Sequence, residues 1–223
     1  HGKTTTTSMI SAILDNAKFD PTVVNGGIIE AYGSNARLGK GDWMVVEADE
    51  SDGTFTRLPS TYVVLTNIDK EHLDFYGNEE NLYNAFKDFI ENIPFYGVAF
   101  ICIDHPATQK LYKHIKYRKI VSFGFNNQAN IKAINFRVEK SLTYFDVQID
   151  KYYNPKTKFI KNIAISMPGK YNVRNALASI ALSLELGIDH NIIKKTLLKF
   201  GGVERRFSKI GSINGALIID DYA

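Results

Sequence analysis

The chain has 223 residues, 44% apolar and 23% charged, with a formal net charge of +3. This composition argues against disorder, and charges mixed along the chain without a Lys/Arg run argue against a nucleic-acid partner. Cys102 is the only cysteine, which excludes an internal disulfide and a thiolate zinc site. No apolar stretch nears the roughly 20 residues that span a membrane, and the polar opening His1-Gly-Lys-Thr-Thr5 is unlike a signal peptide, so a cytoplasmic protein with no membrane partner is expected.

In chain order, residues 4–14 read as a helix that begins at a Gly-Lys turn and turns Met9, Ile10, Ile13 and Leu14 to one face. The runs 43–46 and 62–66 are short, apolar and β-branched, as suits strands buried on both faces of a parallel sheet. Asn78 is placed to cap a helix that carries Leu82, Phe86 and Phe89 at helical spacing. Strands are expected at 98–103 and 119–123 with a helix over 108–115 between them, and Cys102 falls inside the first as a buried, inert thiol. Strand and helix therefore alternate, which predicts an α/β fold with a mostly parallel sheet flanked by helices.

The pattern changes after Asn126. Residues 131–138, 142–149 and 159–167 alternate apolar and polar, predicting a small antiparallel β-subdomain over about 131–167, with a turn at 140–141 and a loop at Asn154-Pro155. Val173, Leu177, Ile180 and Leu184 then mark a helix that ends near Gly187. A second helix over 189–200 stops at Gly201-Gly202, and a last strand is expected at 216–219.

Three stretches can carry chemistry. Gly2-Lys3-Thr4-Thr5 matches the second half of a P-loop, in which helix-start N–H groups cradle phosphates, the Lys reaches their oxygens and a Thr hydroxyl binds Mg²⁺. The alternative is an ordinary helix start that contains a lysine. Glu47-Ala-Asp-Glu-Ser-Asp52 puts four carboxylates directly after an apolar strand, where open α/β sheets place their ligands, the bland reading being a solvated acidic loop. His72 follows the next strand on the same edge, against the bland reading of a surface or satisfied core histidine.

These stretches, together with Thr66-Asn-Ile68, His72-Leu-Asp74, Ile93-Pro-Phe-Tyr-Gly97, Pro168-Gly-Lys-Tyr-Asn-Val-Arg-Asn-Ala176, Arg205-Arg-Phe207 and Asp220-Asp-Tyr-Ala223, resemble the Mur ligase family in order and spacing over nearly the whole chain. The family consists of ATP-dependent amide ligases of peptidoglycan synthesis. Within it, the acidic stretch with Ser51, the Pro-Phe-Tyr-Gly motif and the terminal Asp-Asp-Tyr-Ala look like the branch that joins L-alanine to UDP-N-acetylmuramate. The branch that attaches a recycled tripeptide, usually with Tyr in the place of Ser51, is the alternative. A nucleotide-binding module without activity is a reading of another class for this chain taken alone. A P-loop GTPase or kinase is disfavoured, because no Asn-Lys-x-Asp motif is present.

The resemblance implies roles residue by residue. His1, Gly2, Lys3 and Thr5 would hold the ATP phosphates, and Thr4 and Glu47 would bind Mg²⁺. His72 would help to hold a second Mg²⁺, and Lys3, Glu47 and His72 would be the catalytic set. Asn172 and Asn175 would lie near the adenine, Arg206 near the phosphates or ribose, and Asp221 on the ribose. Plain alternatives are helix capping for the two asparagines, a solvated loop for Arg206 and a polar strand end for Asp221. Tyr171 stands where the family commonly has His, and Lys87 is only roughly placed to be a metal-bridging carboxylated lysine. The resemblance further implies a central ATP-binding domain over 1–223, flanked in the full protein by a UDP-binding domain and an amino-acid-binding domain.

Overall fold

The computed structural model describes residues 1–139, 142–202 and 208–220. Helix α1 (Lys3–Asn16) leads into β1 (Thr22–Ile29), β2 (Ser34–Arg37) and β3 (Met44–Val46), which form a three-stranded sheet in the order β2-β1-β3. Next come β4 (Tyr62–Leu65), the single turn α2 (Leu73–Tyr76), α3 (Glu79–Glu91), β5 (Val98–Cys102), α4 (Pro106–His114) and β6 (Lys119–Gly124). Strands β7 (Ile131–Glu139), β8 (Leu142–Ile149) and β9 (Phe159–Ile165) follow, then helices α5 (Lys170–Glu185) and α6 (His190–Lys199). A hairpin of β10 (Ser208–Ile213) and β11 (Ala216–Asp220) completes the described chain.

Strands β4 to β9 form one six-stranded sheet in sequence order, parallel from β4 to β7 and antiparallel beyond. The antiparallel strands expected over 131–167 are present, and the parallel pairing of Phe123 with Ile131 fuses them to the main sheet as its far edge. Strand β5 shows why the centre reads as a continuous apolar run: all five of its residues are buried. Val98, Phe100 and Cys102 enter a core shared with α1, α5 and α6, while Ala99 and Ile101 enter a second core under α3 and α4. Burial pushes the Cys102 thiol up to about 11, in keeping with an inert thiol.

Helix boundaries follow local chemistry. Asn78 caps α3 by accepting a hydrogen bond from the Asn81 N–H at 2.9 Å, and Asp189 caps α6 by accepting one from the Asn191 N–H at 2.8 Å. Helix capping, the plain alternative for Asn172 and Asn175, is not found: both lie inside α5, whose N-cap is Gly169 at φ +95°. Strands β1 and β2 have no counterpart in the sequence pattern. In β1 the apolar run is broken by Asn25, Gly26 and Gly27, and β2 is a short polar edge.

Strands β3 and β4 do not pair. Thr22 N–H donates to Trp43 O and Glu47 N–H to Val24 O, so by alternation the backbone groups of Met44 and Val46 point away from β1. Val98 N–H donates to Thr61 O, so those of Tyr62 and Val64 point away from β5. Between these two free edges lies a largely apolar cavity of about 690 Å³, roofed by Thr6, Ile10 and Leu14 of α1 and floored by Phe55, Phe86 and Phe89. The stacked rings of Trp43 and Tyr62, 5.4 Å apart, bridge it.

Two substitutions test this account of the core and caps. Phe100→Ala, at a fully buried site, should cost about 3–5 kcal/mol, and Asn78→Ala about 1 kcal/mol. Denaturant titration of both variants should rank them in that order, and equal midpoints would refute the placement of Phe100.

Candidate functional site

The N-terminus of α1 points at the carboxyl ends of β3 and β4, so one helix start faces the loops 47–53 and 66–72. Gly2, at φ +82°, turns the chain into the helix. The N–H groups of Lys3, Thr4 and Thr5 have no carbonyl ahead of them within the helix, which makes this end electropositive. A Cβ on Gly2 would lie 2.5 Å from Asn175 Oδ1, so glycine is also needed for the close approach of α5.

Thr4 turns its hydroxyl to Glu47, the residue after β3, donating to Oε1 at 2.9 Å. The other carboxylate oxygen accepts the Gly26 N–H at 2.6 Å. Lys3 is paired with Glu50, and Asp49 Oδ1 lies 3.9 Å from its ammonium. Tyr76 donates its hydroxyl to the Glu50 carbonyl at 2.5 Å. Burial, then the charges of Glu50, Asp52 and Asp49, push the Tyr76 phenol above its ordinary value, so it stays a donor at neutral pH. Asp52 is held below the usual carboxylate range by hydrogen bonds from the Thr54 hydroxyl and N–H.

The loop after β4 supplies the other wall. His72 opens α2 in the left-handed region, at φ +55°. Its ring lies with Glu50 and Glu71, one ligand atom of each within 4.8 Å of the others. Glu47 is not in that trio. It lies with Thr4 and Gly26, so the residues expected at two separate cations fall into two neighbouring groups. His1 closes the mouth: its carbonyl accepts from Thr66 Oγ1 at 2.7 Å and Asn67 Nδ2 at 2.9 Å, and its ring faces Asp69 and Glu71 at 3.3 and 3.4 Å.

Asn175 and Asn172 are buried at the start of α5. Thr6 donates to Asn175 Oδ1 at 3.2 Å, Asn175 Nδ2 to Asn172 Oδ1 at 3.4 Å, and Asn172 Nδ2 to Pro168 O at 2.8 Å. This chain of amides ties α1 to α5. Behind it, partly buried Asp104 accepts from Arg174 Nε at 2.6 Å and from the Phe125 and Asn126 N–H groups, which fixes α5 to the end of β6. Neither Glu50 nor Asp104 is singled out by the sequence. Gly26-Gly27 inside an apolar strand was the available signal for a close approach.

Arg206 and Asp221, expected on the nucleotide, lie outside the described residues. Thr5 is buried in the first turn of α1, and Tyr171 is half exposed at the start of α5. Lys87 lies on α3, where it pairs with Glu91 at 3.7 Å and lines a separate cavity with Asp69, Lys70 and His105.

Comparison with known proteins matches residues 1–183 to the Mur ligase middle domain. A UDP-N-acetylmuramate–L-alanine ligase of Bartonella henselae is 54% identical over 222 residues, covering all of this chain and 47% of that protein. The chain thus spans about half the length of the curated relatives it matches. The crystal structure of the UDP-N-acetylmuramate–alanine ligase of Thermotoga maritima superposes with a TM-score of 0.83 at 29% identity, over 99% of this chain and 48% of that one. A UDP-N-acetylmuramate:tripeptide ligase of Neisseria meningitides gives 0.79 at 25% identity, over 92% of this chain and 65% of that one. With the family model matched over most of its length and the fold shared throughout, the chain belongs to the Mur ligase family.

Proposed function

We propose that this chain is the ATP-binding part of a ligase that joins L-alanine to UDP-N-acetylmuramate. The observation that carries the reading is the free helix start whose Thr4 meets Glu47, at the end of the adjoining strand, and whose Lys3 meets Glu50 three residues further along the same loop. Such an arrangement holds a triphosphate and a cation together. The 54% identity to an alanine-adding enzyme favours this branch over the tripeptide one.

The donor set fits the expected cation. Thr4 and Glu47 offer only hard oxygen atoms, which suit Mg²⁺ and not a thiolate-seeking metal, and Glu50, Glu71 and His72 offer two carboxylates and an imidazole alongside. Bound there, Mg²⁺ would lower the charge on the transferring phosphoryl group. The chain's own contribution is position and charge. The first-turn N–H groups of α1 and the Lys3 ammonium receive the phosphate oxygens, Glu47 is held by Thr4 and Gly26, and Asn175 braces the helix start from behind. Carboxylates are inert toward amines, so in the proposed reaction ATP gives its terminal phosphoryl group to the muramate carboxylate, leaving ADP and an acyl phosphate, and the alanine amine attacks the acyl carbon and expels inorganic phosphate. Gathering these anions is the main barrier, and positioned cationic groups are the remedy. A cytoplasmic setting belongs to the same proposal; among the described residues no helix is long and apolar enough to cross a membrane.

The cavity between β3 and β4 supports a further part of the reading, that the chain is the central domain of a longer protein with a UDP-binding and an amino-acid-binding neighbour. Two parallel strand edges with unpaired backbone groups, facing each other across a covered apolar slot, are the seat of one more strand. His1 lies at the carboxyl end of that slot, where a parallel strand would deliver the chain into α1.

Phosphate release by the full-length protein, with ATP, Mg²⁺ and UDP-N-acetylmuramate, tests the function. L-Alanine should support release and yield UDP-N-acetylmuramoyl-L-alanine, while a tripeptide should not; the reverse pattern would move the protein to the other branch. Glu47→Ala should lower turnover by at least about a hundredfold with the fold intact, roughly 3 kcal/mol of transition-state stabilisation. Turnover at the wild-type rate in that variant would remove the cation role.

Amide exchange in the full-length protein tests the slot. The N–H groups of Met44, Val46, Tyr62 and Val64 should be protected as strongly as those of Val45 and Val63, which face paired strands. Exchange of the first four at least about a hundredfold faster would mean an open slot.

A further inference from the structure

Lys3 is not free at the mouth of the site. Its ammonium is paired with Glu50, whose side chain is only 12% exposed, and Asp49 Oδ1 lies 3.9 Å from the same ammonium. Glu50 is itself held in place. The Tyr76 hydroxyl pins its backbone carbonyl, and Phe75 rests on Gly53, where an added Cβ would meet the ring at 3.0 Å. The loop is therefore anchored with Glu50 turned inward, toward the helix start that would receive phosphates. Glu47 already has its own partners in Thr4 and Gly26, so Glu50 serves a different purpose.

The geometry points to Glu50 as a counter-ion latch: it holds Lys3 back from a bare phosphate chain and releases it only when a divalent cation enters with the nucleotide. This inference rests on the nucleotide reading given above. A metal-free triphosphate entering the site meets the carboxylates of Glu47, Asp49 and Glu50, and the Lys3 ammonium is already neutralised by its pairing with Glu50. To engage Lys3 it must break the pair and leave a largely shielded carboxylate unpaired beside an anion, which is costly where water is scarce. A cation arriving with the phosphates compensates that carboxylate, so the pair can open without stranding either charge. The latch thus makes the site prefer the cation-loaded nucleotide before any chemistry begins.

Equilibrium binding of ATP to the full-length protein, by calorimetry in Mg²⁺ and in excess EDTA, tests the latch without recourse to activity. Glu50→Gln keeps the shape and removes the charge. It should tighten ATP in EDTA by about tenfold and bring no such gain in Mg²⁺, so the dependence on Mg²⁺ shrinks. Tyr76→Phe, which loosens the anchor, should move EDTA binding in the same direction by a smaller factor, and it carries the test if Glu50→Gln fails to fold. Asp49→Asn, at an exposed and more distant carboxylate, should do less than either. Affinity in EDTA that is unchanged or weakened in both the Glu50 and the Tyr76 variants overturns the latch while leaving the nucleotide site standing. Wild-type protein that binds ATP in neither condition overturns the nucleotide reading, and the latch with it.

Discussion

The contact of Glu47 with Thr4 and Gly26 joins three elements that are distant in sequence: the start of α1, the end of β3 and the middle of β1. One carboxylate uses both oxygens to do it, and each bond sets a condition on its neighbour. Gly26 must lack a Cβ, since one would sit 2.8 Å from Glu47 Oε2. Gly2, on the other side of the helix start, is under the same condition against Asn175. The first turn of α1 is thus held between two side-chain oxygens that reach it only because the residues beside them are glycine. A shift of α1 by even an ångström would break both approaches at once, and Lys3 would leave the loop that it faces.

That arrangement is electrostatically unbalanced on purpose. Glu50 and Asp49 stand beside the Lys3 ammonium, Glu47 and Asp52 belong to the same acidic loop, and Asp69 and Glu71 face His1 from the next. Like charges so placed repel, and the fold tolerates them through local partners: Thr4 and Gly26 for Glu47, Lys3 for Glu50, the Thr54 hydroxyl for Asp52. Pairs of this kind near the surface add little to stability, so the acidic ring is poorly explained as a stabilising feature. It is well explained as a cation-accepting surface that becomes balanced when the proposed ligands arrive together.

How much of this could be read from the residues depends on whether the information was local. The central strands and the helices α3, α5 and α6 were legible, because their apolar periodicities and caps lie within a dozen residues. The antiparallel strands over 131–167 were legible as strands, but their fusion to β6 was not. That pairing is made by only two residue pairs and by the Asn130 side chain, which accepts from both the N–H and the hydroxyl of Ser122. Strand β1 was hidden by Asn25, a buried polar residue that the strand accommodates because Ser8 and the Gly27 carbonyl accept from its amide. At the site, Lys3, Thr4, Glu47 and His72 stood out from type and position, and the structure gathers them at one edge. In a run of four carboxylates nothing local tells which one turns inward, and so the separate duties of Glu47 and Glu50 were out of reach. Asp104 gave no signal either, since its partner Arg174 lies 70 residues away.

The two sheets are aligned by very little, and this bears on how the site is kept in shape. Glu47 and Glu50 come from the three-stranded sheet, whereas Asn175 is carried by α5, which is fixed to the six-stranded sheet through Arg174, Asp104 and the core beneath it. Across the cavity the Trp43–Tyr62 stack bridges the two sheets. Helix α1 supplies the rest: it packs on β1 and β3 on one side and on α5 and α6 on the other. Its buried face is built for both jobs, with Met9, Ile13 and Leu14 in the core and Ser8 and Ser11 turned back on their own helix carbonyls at 2.8 Å. The element whose N-terminus makes the site is therefore also the element that sets the distance between its two halves. Packing changes along α1, far from any ligand, would be felt first as a change in the separation of Lys3 from the acidic loop.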